Sequence, residues 1–193
     1  MWVRASAIRP VPAFARVPAG ALEAVRLSLA EDEEEAREQL DSAFDRFERQ
    51  QPCLSAHIGD VLSKPLDETA LALGYFLVLA IWLAFDRAHG SQIEEVDAES
   101  IAATQALLTL DEELRRTDPT ESLGTDDVIG MEQPDLVEFV HDHMNATLEA
   151  NVSHIDVDDV DAIYRIVLVE ILALSYAVHR PAGYPVGKIE MQA

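Results

Sequence analysis

Lysine, cysteine and glycine are scarce in this chain of 193 residues. It has 8 glycines, a single cysteine, Cys53, and only the lysines Lys64 and Lys188. One cysteine excludes an intramolecular disulfide. Because neither a second Cys nor a His lies next to Cys53, we expect a small buried residue and not a nucleophile. Few glycines and 6% aromatic residues, together with abundant Ala and Leu, favour α-helices.

The short motifs of several common chemistries are also missing. The sequence contains no glycine-rich phosphate loop, no Gly-x-Ser-x-Gly, no His-Glu-x-x-His and no Cys-x-x-Cys. Neither phosphoryl transfer nor dinucleotide chemistry has any support, and we expect no cofactor. The biochemical function cannot be read from motifs alone.

The charge balance is strongly acidic. The chain has 36 Asp and Glu residues against 14 Lys and Arg, which gives a formal net charge of −22. Such a field repels nucleic acids and anionic membranes, so we expect neither as a partner. It favours a basic protein surface, although solubility or adaptation to a salty cytoplasm explains it more simply. Hydrophobic residues make up 49% of the chain, which indicates a globular protein.

Residues 47–90 and 129–181 resemble two copies of one unit. The pattern Gln-Pro-x-Leu begins at Gln51 and again at Gln133, and in each case a short helical stretch precedes a long apolar one. The Gln-Pro pairs lie 82 residues apart and the long apolar stretches 91 residues apart. The second copy is therefore predicted to carry nine additional residues, near 151–155.

No stretch alternates as a β-strand would, so the sequence predicts an all-α bundle. We expect about six helices, built from two fused helix-pair repeats that pack around a pseudo-twofold axis. The helices are predicted at 21–50, 52–62, 66–88, 99–116, 134–149 and 156–179. The rest is predicted as an extended N-terminal arm at 1–20, a single helical domain at 21–181 with a loop at 117–133, and an irregular tail at 182–193.

The stretch 66–88 has two interpretations, since no charged residue occurs from Ala70 to Phe85. A membrane helix needs about 20 apolar residues and usually has basic flanks, whereas this stretch is slightly shorter and its flanks are acidic. The second copy of the long helix also contains Arg165 and Glu170. We therefore predict a buried central helix in a soluble, cytoplasmic protein.

Glu138 and His141 are the candidate metal ligands. Helical bundles that bind paired iron use the spacing Glu-x-x-His. Such a site needs a second copy of the motif, and Gly59 occupies the position of His141 in the first repeat. A helical wheel also places both side chains opposite the apolar residues of their helix. We therefore favour a solvated polar face and predict no metal site.

Glu170 and His143 are the candidate catalytic residues. Glu170 lies on the apolar side of the last helix, and His143 lies at the edge of the apolar arc of the preceding one. An unpaired buried carboxylate costs several kcal/mol or takes up a proton, and a facing imidazole would relieve that cost. The pair forms either a core hydrogen bond, which we favour, or a site for proton transfer or ligand binding.

These observations lead to two hypotheses of function. The first is a soluble acidic helical interaction module, without catalytic activity, that acts through a protein partner, of basic character, or through self-association. The alternative is a small enzyme or ligand-binding bundle with a pocket at Glu170 and His143 in the second repeat. The second hypothesis requires a closed pocket that touches Glu170.

Overall fold

The computed structural model describes residues 6–30, 33–117, 124–151 and 155–184. Within these ranges the chain forms eight α-helices and no β-strand, so the predicted all-α bundle is confirmed. The helices are α1 Ala19–Ala30, α2 Glu33–Gln50, α3 Pro52–Leu62, α4 Glu68–His89, α5 Ala98–Thr117, α6 Thr125–Glu132, α7 Pro134–Ala150 and α8 Val157–Ala177. Two 3₁₀ turns, Ala13–Ala15 and Gly90–Gln92, precede α1 and α5. The predicted tail lies largely outside the described residues.

The expectation of about six helices was wrong. The predicted helix at 21–50 is two helices, α1 and α2, and α6 lies within the segment predicted as a loop. The carboxylate of Asp127 accepts a hydrogen bond from the backbone N–H of Gly124, and Asp126 adds a second acid in the first turn of α6. The Gly and Asp residues that suggested a loop therefore begin a helix. The Asp carboxylates accept a free N–H group at the helix start and interact favourably with the positive end of the helix dipole.

The two long apolar helices, α4 and α8, pack side by side and run in the same direction. At their starts, the carboxylate of Asp159 accepts the backbone N–H of Asp67 at 2.7 Å. Beyond their ends, the N–H of Glu94 donates to the carbonyl of Ala177 at 2.9 Å. Since both starts and both ends are joined, the helices are parallel.

Helix α4 lies at the centre of the bundle. Eleven of its 22 residues are buried, among them Trp82 and Phe85 with no exposed surface. Other helices approach it closely at Gly74, where a Cβ atom would lie 2.6 Å from Cδ1 of Ile163 and 2.9 Å from Cδ2 of Leu62. The segment 68–92 is long and apolar enough to cross a membrane, but 61% of its most apolar window is buried inside the protein. Core helices of soluble proteins have the same property.

The described part of the N-terminal segment, residues 6–18, packs against the bundle. Four of its side chains are buried: Ile8, Val11, Ala15 and Val17. The hydroxyl of Ser6 and the backbone N–H of Ala7 both donate to Oδ1 of Asp111 in α5, at 2.9 and 3.1 Å. The segment is therefore a packed part of the fold.

The glutamine before α3 holds the segment that precedes α5. Gln51 is 1% exposed, and its Nε2 donates to the carbonyl of Glu94 at 2.8 Å. The backbone N–H of Val96 donates back to Oε1 of Gln51 at 2.8 Å. One side-chain amide thus satisfies a carbonyl and an N–H group two residues apart on an extended segment.

The glutamine before α7 holds the segment that precedes α1 in the same way. Gln133 is also 1% exposed, and its Nε2 donates to the carbonyl of Ala15 at 2.9 Å, while the N–H of Val17 donates to its Oε1 at 2.9 Å. A third bond joins Nε2 to the hydroxyl of Ser175 in α8, also at 2.9 Å. The start of the chain is therefore tied to its second half.

Candidate functional site

A cleft of about 340 Å³ lies between α2, α3 and α4, and we call it the apolar groove. Its apolar lining is formed mainly by Phe44, Phe47, Ile58, Leu62, Tyr75 and Val78. Phe47, Ile58 and Leu62 are 1%, 3% and 5% exposed, whereas Phe44 and Tyr75 are 37% and 46% exposed. The groove therefore has a buried apolar floor and two aromatic rings exposed at its rim.

Gly59 in α3 contributes to the open space of the groove. It lines the cleft, and a Cβ atom at this position would meet no atom within 4 Å. The neighbouring helix start is well defined, because Pro52 is in the first turn of α3 and Gln51 is buried. The space above Gly59 is thus a consequence of a missing side chain within a well-ordered helix.

The surroundings of the groove are acidic. Glu48 lines it, and Asp41 lies on the same face of α2 because residues three and four apart are neighbours on a helix. Asp60 follows Gly59 in α3, and all three carboxylates are exposed. Arg37 and Lys64 lie four residues from Asp41 and Asp60, so both signs of charge occur around the groove. The net charge of −22 of the whole chain still favours a ligand that is apolar in the middle and basic at its edges.

Glu170 is fully buried in α8, as the sequence predicted. It has no exposed surface, and neither carboxyl oxygen has a hydrogen-bond partner among the described residues. Burial raises the pKa of Glu170 well above its usual value, which favours the protonated, neutral form of the side chain. Five clefts between described residues, of about 160 to 800 Å³, do not include it among their lining residues.

His143 does not meet Glu170. Its Nδ1 lies 2.8 Å from the carbonyl oxygen of Phe139, and its ring packs against Phe139 and Phe76, with centroids 4.2 and 5.0 Å away. The predicted hydrogen bond between the two candidates is absent because His143 packs towards α4, which carries Phe76. The two residues do not form a common site in this structure.

Glu138 and His141 also have different surroundings. Glu138 is exposed and borders a shallow cleft with Arg26 and Asp142, whereas Nε2 of His141 lies 2.6 Å from the hydroxyl of Tyr164. In the described ranges, no group of three or more His, Cys, Asp or Glu side chains is arranged to hold a metal ion. The exposure of Glu138 agrees with the polar face predicted from the helical wheel.

His141 belongs instead to a hydrogen-bonded trio, Asp126–His141–Tyr164, that joins α6, α7 and α8. The hydroxyl of Tyr164 donates to Oδ2 of Asp126 at 3.1 Å, and Nε2 of His141 lies 3.5 Å from the same oxygen. Burial, and then the negative charge of Asp126, raise the pKa of Tyr164 above its usual value, so its hydroxyl keeps its proton. Sequence reasoning missed this trio because Asp126 lies in a segment predicted as a loop.

Asp111 in α5 is a second residue that sequence reasoning missed. It has no exposed surface, although it begins an acidic run that resembles a solvated face. Besides its two bonds to the N-terminal segment, it accepts the hydroxyl of Thr125 at 2.9 Å, and Nε of Arg115 lies 3.7 Å away. Its surroundings are structural, since they connect the N-terminal segment, α5 and α6.

A larger cleft of about 800 Å³ separates α5 from the end of α8. Acidic residues at its edge include Glu94, Asp97 and Glu99. The guanidinium of Arg9 lies 4.2 Å from the centre of the Tyr176 ring, and the Tyr176 hydroxyl donates to the carbonyl of Arg9 at 2.7 Å. The N-terminal segment of the chain itself thus supplies a cation to this cleft.

Comparison of the chain with protein-family models, with curated proteins and with solved structures finds no match in any of the three. The geometry of the chain therefore carries the functional argument.

Proposed function

We propose that the protein is a soluble, cytoplasmic, non-catalytic interaction module that binds a protein partner through the apolar groove. One observation carries this proposal: Phe44 and Tyr75 are exposed on either side of a cleft that Gly59 leaves unfilled. Exposed aromatic residues beside a well-packed apolar floor are typical of binding surfaces. The net charge of −22 supports a basic partner, and it disfavours association with a second copy, which would bring the same charge.

The alternative function, a ligand-binding or catalytic bundle, has less support. It requires a pocket at Glu170 with His143 nearby, and the two side chains have different surroundings. The buried carboxyl group of Glu170 is better explained as a local loss of folding stability in the core than as a catalytic or ligand-binding site.

The proposal includes an architecture of two fused units, α1–α4 and α5–α8. Its support is the order of elements, since each unit begins with a 3₁₀ turn and has a glutamine before its third helix. The N-caps of the fourth helices, Asp67 and Asp156, lie 89 residues apart, whereas Gln51 and Gln133 lie 82 apart. The offset between the fourth helices is therefore 89 residues and not the 91 inferred from sequence, so the second unit has seven additional residues. Most of them fit within α7, which has 17 residues against 11 in α3.

The reciprocal glutamine contacts support a pseudo-twofold relationship between the units. Gln51 of the first unit holds Glu94 and Val96 at the start of the second. Gln133 of the second unit holds the segment 15–17 at the start of the first. The packing of the helices is reciprocal as well: α3 contacts α8 and α5, while α7 contacts α4 and α1.

A matched pair of substitutions tests the binding role of the groove. Gly59→Phe fills the groove, and Gly20→Phe adds the same ring to an exposed position of α1, where a Cβ atom also meets nothing within 4 Å. The wild type and both variants would be purified from the native host at native salt, with bound proteins identified by mass spectrometry. We expect a stoichiometric partner that Gly20→Phe retains and Gly59→Phe loses. A partner retained equally by both variants, or none with the wild type, contradicts the proposal.

A further inference from the structure

We infer that the apolar groove takes the apolar face of one basic amphipathic helix, and that the second unit takes none because the Asp126–His141–Tyr164 trio makes the corresponding surface smaller and polar. This inference rests on the proposed function and names the partner class and the number of sites. It predicts one helix bound per chain, at the first unit.

Three residues of the groove have counterparts in the second unit. For the second and third helices of each unit, the counterparts follow from the offset of 82 residues between the two glutamines. For the fourth helices they follow from the offset of 89 residues between the N-cap aspartates. The pairs are Phe44 with Asp126, Gly59 with His141, and Tyr75 with Tyr164. The tyrosine is shared, whereas the other two positions change from apolar or empty to ionisable.

The exchange accounts for the smaller and more polar surface of the second unit. The imidazole of His141 occupies a position at which Gly59 has no side chain, and it bonds the tyrosine hydroxyl at 2.6 Å. Asp126 accepts that hydroxyl at 3.1 Å where the first unit has an apolar ring. Three polar groups that satisfy one another replace the apolar surface, and the cleft that Asp126 and Tyr164 line measures about 160 Å³, against about 340 Å³ for the apolar groove. In the first unit, Tyr75 is 46% exposed instead.

The dimensions of the groove favour a helix as its occupant. It follows α3, whose 11 residues span about 16 Å at the usual rise of a helix. That length is sufficient for three anchoring side chains of a bound helix at positions i, i+4 and i+7, which span about 10 Å. A small molecule would have most of its surface buried, whereas Phe44 and Tyr75 leave the rim open.

The charges favour a basic helix. Asp41 and Glu48 flank Phe44 on α2, and Asp60 flanks Gly59 on α3. Lys or Arg residues on either side of the apolar anchors would lie near these exposed carboxylates. Such contacts raise the association rate and weaken with salt, because exposed charges are screened.

The direct test uses two synthetic peptides of 18 residues, roughly five helical turns. Both have Leu at i, i+4 and i+7. The remaining positions are Lys in one peptide and Glu in the other. Isothermal titration calorimetry at pH 7.5 should show the Lys peptide binding the wild type at one peptide per chain, with affinity falling as salt rises, and the Glu peptide not binding. Gly59→Phe should weaken binding at least about tenfold, whereas Gly20→Phe should leave it unchanged. Because both substitutions are neutral, adhesion of a cationic peptide to an acidic protein would not distinguish them.

A second variant transfers the trio into the first unit. Phe44→Asp combined with Gly59→His places an acid and an imidazole beside Tyr75, and helix content by circular dichroism confirms that the variant folds. The added carboxylate would strengthen binding that depends on charge alone. We therefore expect that this variant no longer binds the Lys peptide, which would show that the two substitutions block the groove.

The reverse variant, Asp126→Phe with His141→Gly, removes the trio from the second unit. We expect its stoichiometry to rise from one to two peptides per chain. An unchanged stoichiometry in a folded variant contradicts the claim that the trio closes this surface.

The outcomes separate the inference from the proposed function. If Gly59→Phe loses its native partner but binds the Lys peptide as the wild type does, the groove binds a partner and the helix inference is wrong. Two peptides bound to the wild type would contradict the closed second unit. If the wild type is a dimer and Gly59→Phe is a monomer, the occupant of the groove is a second copy of the chain. If native mass spectrometry finds a small apolar molecule on the wild type alone, the occupant is a metabolite. Either result overturns the inference.

Discussion

The backbone N–H of Val17 donates to the side-chain oxygen of Gln133 at 2.9 Å, across 116 residues of sequence. Both residues are 1% exposed, so water cannot replace this bond when it is broken. The same amide also satisfies a carbonyl and a hydroxyl, which makes it one of the few polar groups that connect the start of the chain to the core. Its removal tests how strongly the N-terminal segment stabilises the fold.

Replacing Gln133 by Leu should lower the free energy of unfolding by roughly 2–4 kcal/mol, because buried backbone groups lose their partners. Urea denaturation measures the change. Gln39→Leu is the control, since Gln39 is exposed on α2 and its replacement should change stability by less than about 0.5 kcal/mol. Equal effects at the two positions would mean that the N-terminal segment adds little stability.

Replacing Glu170 by Leu should stabilise the protein. The carboxyl group is fully buried without a hydrogen-bond partner among the described residues, and an unsatisfied buried polar group costs about 1–3 kcal/mol. A gain of that size at pH 7, measured by urea denaturation, would show that Glu170 lowers the free energy of unfolding of the wild type. A loss of stability would show that the acid has a favourable partner.

The pH dependence of stability provides an independent test of Glu170. Its pKa in the folded state is raised above the usual 4.5, so the folded state keeps a proton that the unfolded state releases. The contribution that this proton makes to the free energy of unfolding is fully present below pH 4.5, and it is lost as the pH rises through the folded-state pKa. The stability advantage of Glu170→Leu should therefore grow from pH 5 to 8, by up to about 1.4 kcal/mol per unit. A constant difference between variant and wild type would contradict the raised pKa.

Glycine-to-alanine substitutions should have opposite effects in α3 and α4. At Gly59 the added methyl meets nothing, so the higher helix propensity of Ala should stabilise by up to about 1 kcal/mol. At Gly74 it would lie 2.6 Å from Cδ1 of Ile163, and the crowding should cost about 1–3 kcal/mol. Ile163→Val removes that atom, so the double variant should recover part of the loss in thermal denaturation. Additive losses would show that Leu62, and not Ile163, limits the space.

Asp111 should control the order of the N-terminal segment. Asp111→Ala removes the acceptor for Ser6, Ala7 and Thr125, so the amide of Ala7 should lose its protection in hydrogen–deuterium exchange. Glu113→Gln, at an exposed position of the same helix, is the control and should leave that protection unchanged. Unchanged exchange in Asp111→Ala would mean that apolar packing alone holds the segment.

Helical periodicity was sufficient to predict the fold class and the burial of Glu170, because both depend on residues within one helix. The extra helices could not be predicted so well, since α6 has only 8 residues and begins with residues typical of loops. Cys53, predicted as buried, is half-buried in the structure. Local patterns thus predicted the long elements and failed at the short one.

The apolar groove could not be predicted from sequence, because its residues lie on three helices and none is unusual alone. In the sequence, Gly59 differs from its counterpart only in lacking the histidine, and the space above it depends on how α2 and α4 pack against α3. The predicted pairing of His143 with Glu170 failed for a related reason. It depended on which helix His143 faces, and the aromatic contact with Phe76 decides that.

The parallel arrangement of α4 and α8 places two helix macrodipoles side by side with the same orientation, so their like ends repel one another. At the paired N-terminal ends the chain has the carboxylates of Asp67, Asp156 and Asp159. Arg87 lies in the last turn of α4, and Arg180 follows the end of α8. Acids near positive helix ends and cations near negative ones offset this repulsion. Part of the negative charge of the protein is therefore a condition for the packing of its core, in addition to whatever it contributes on the surface.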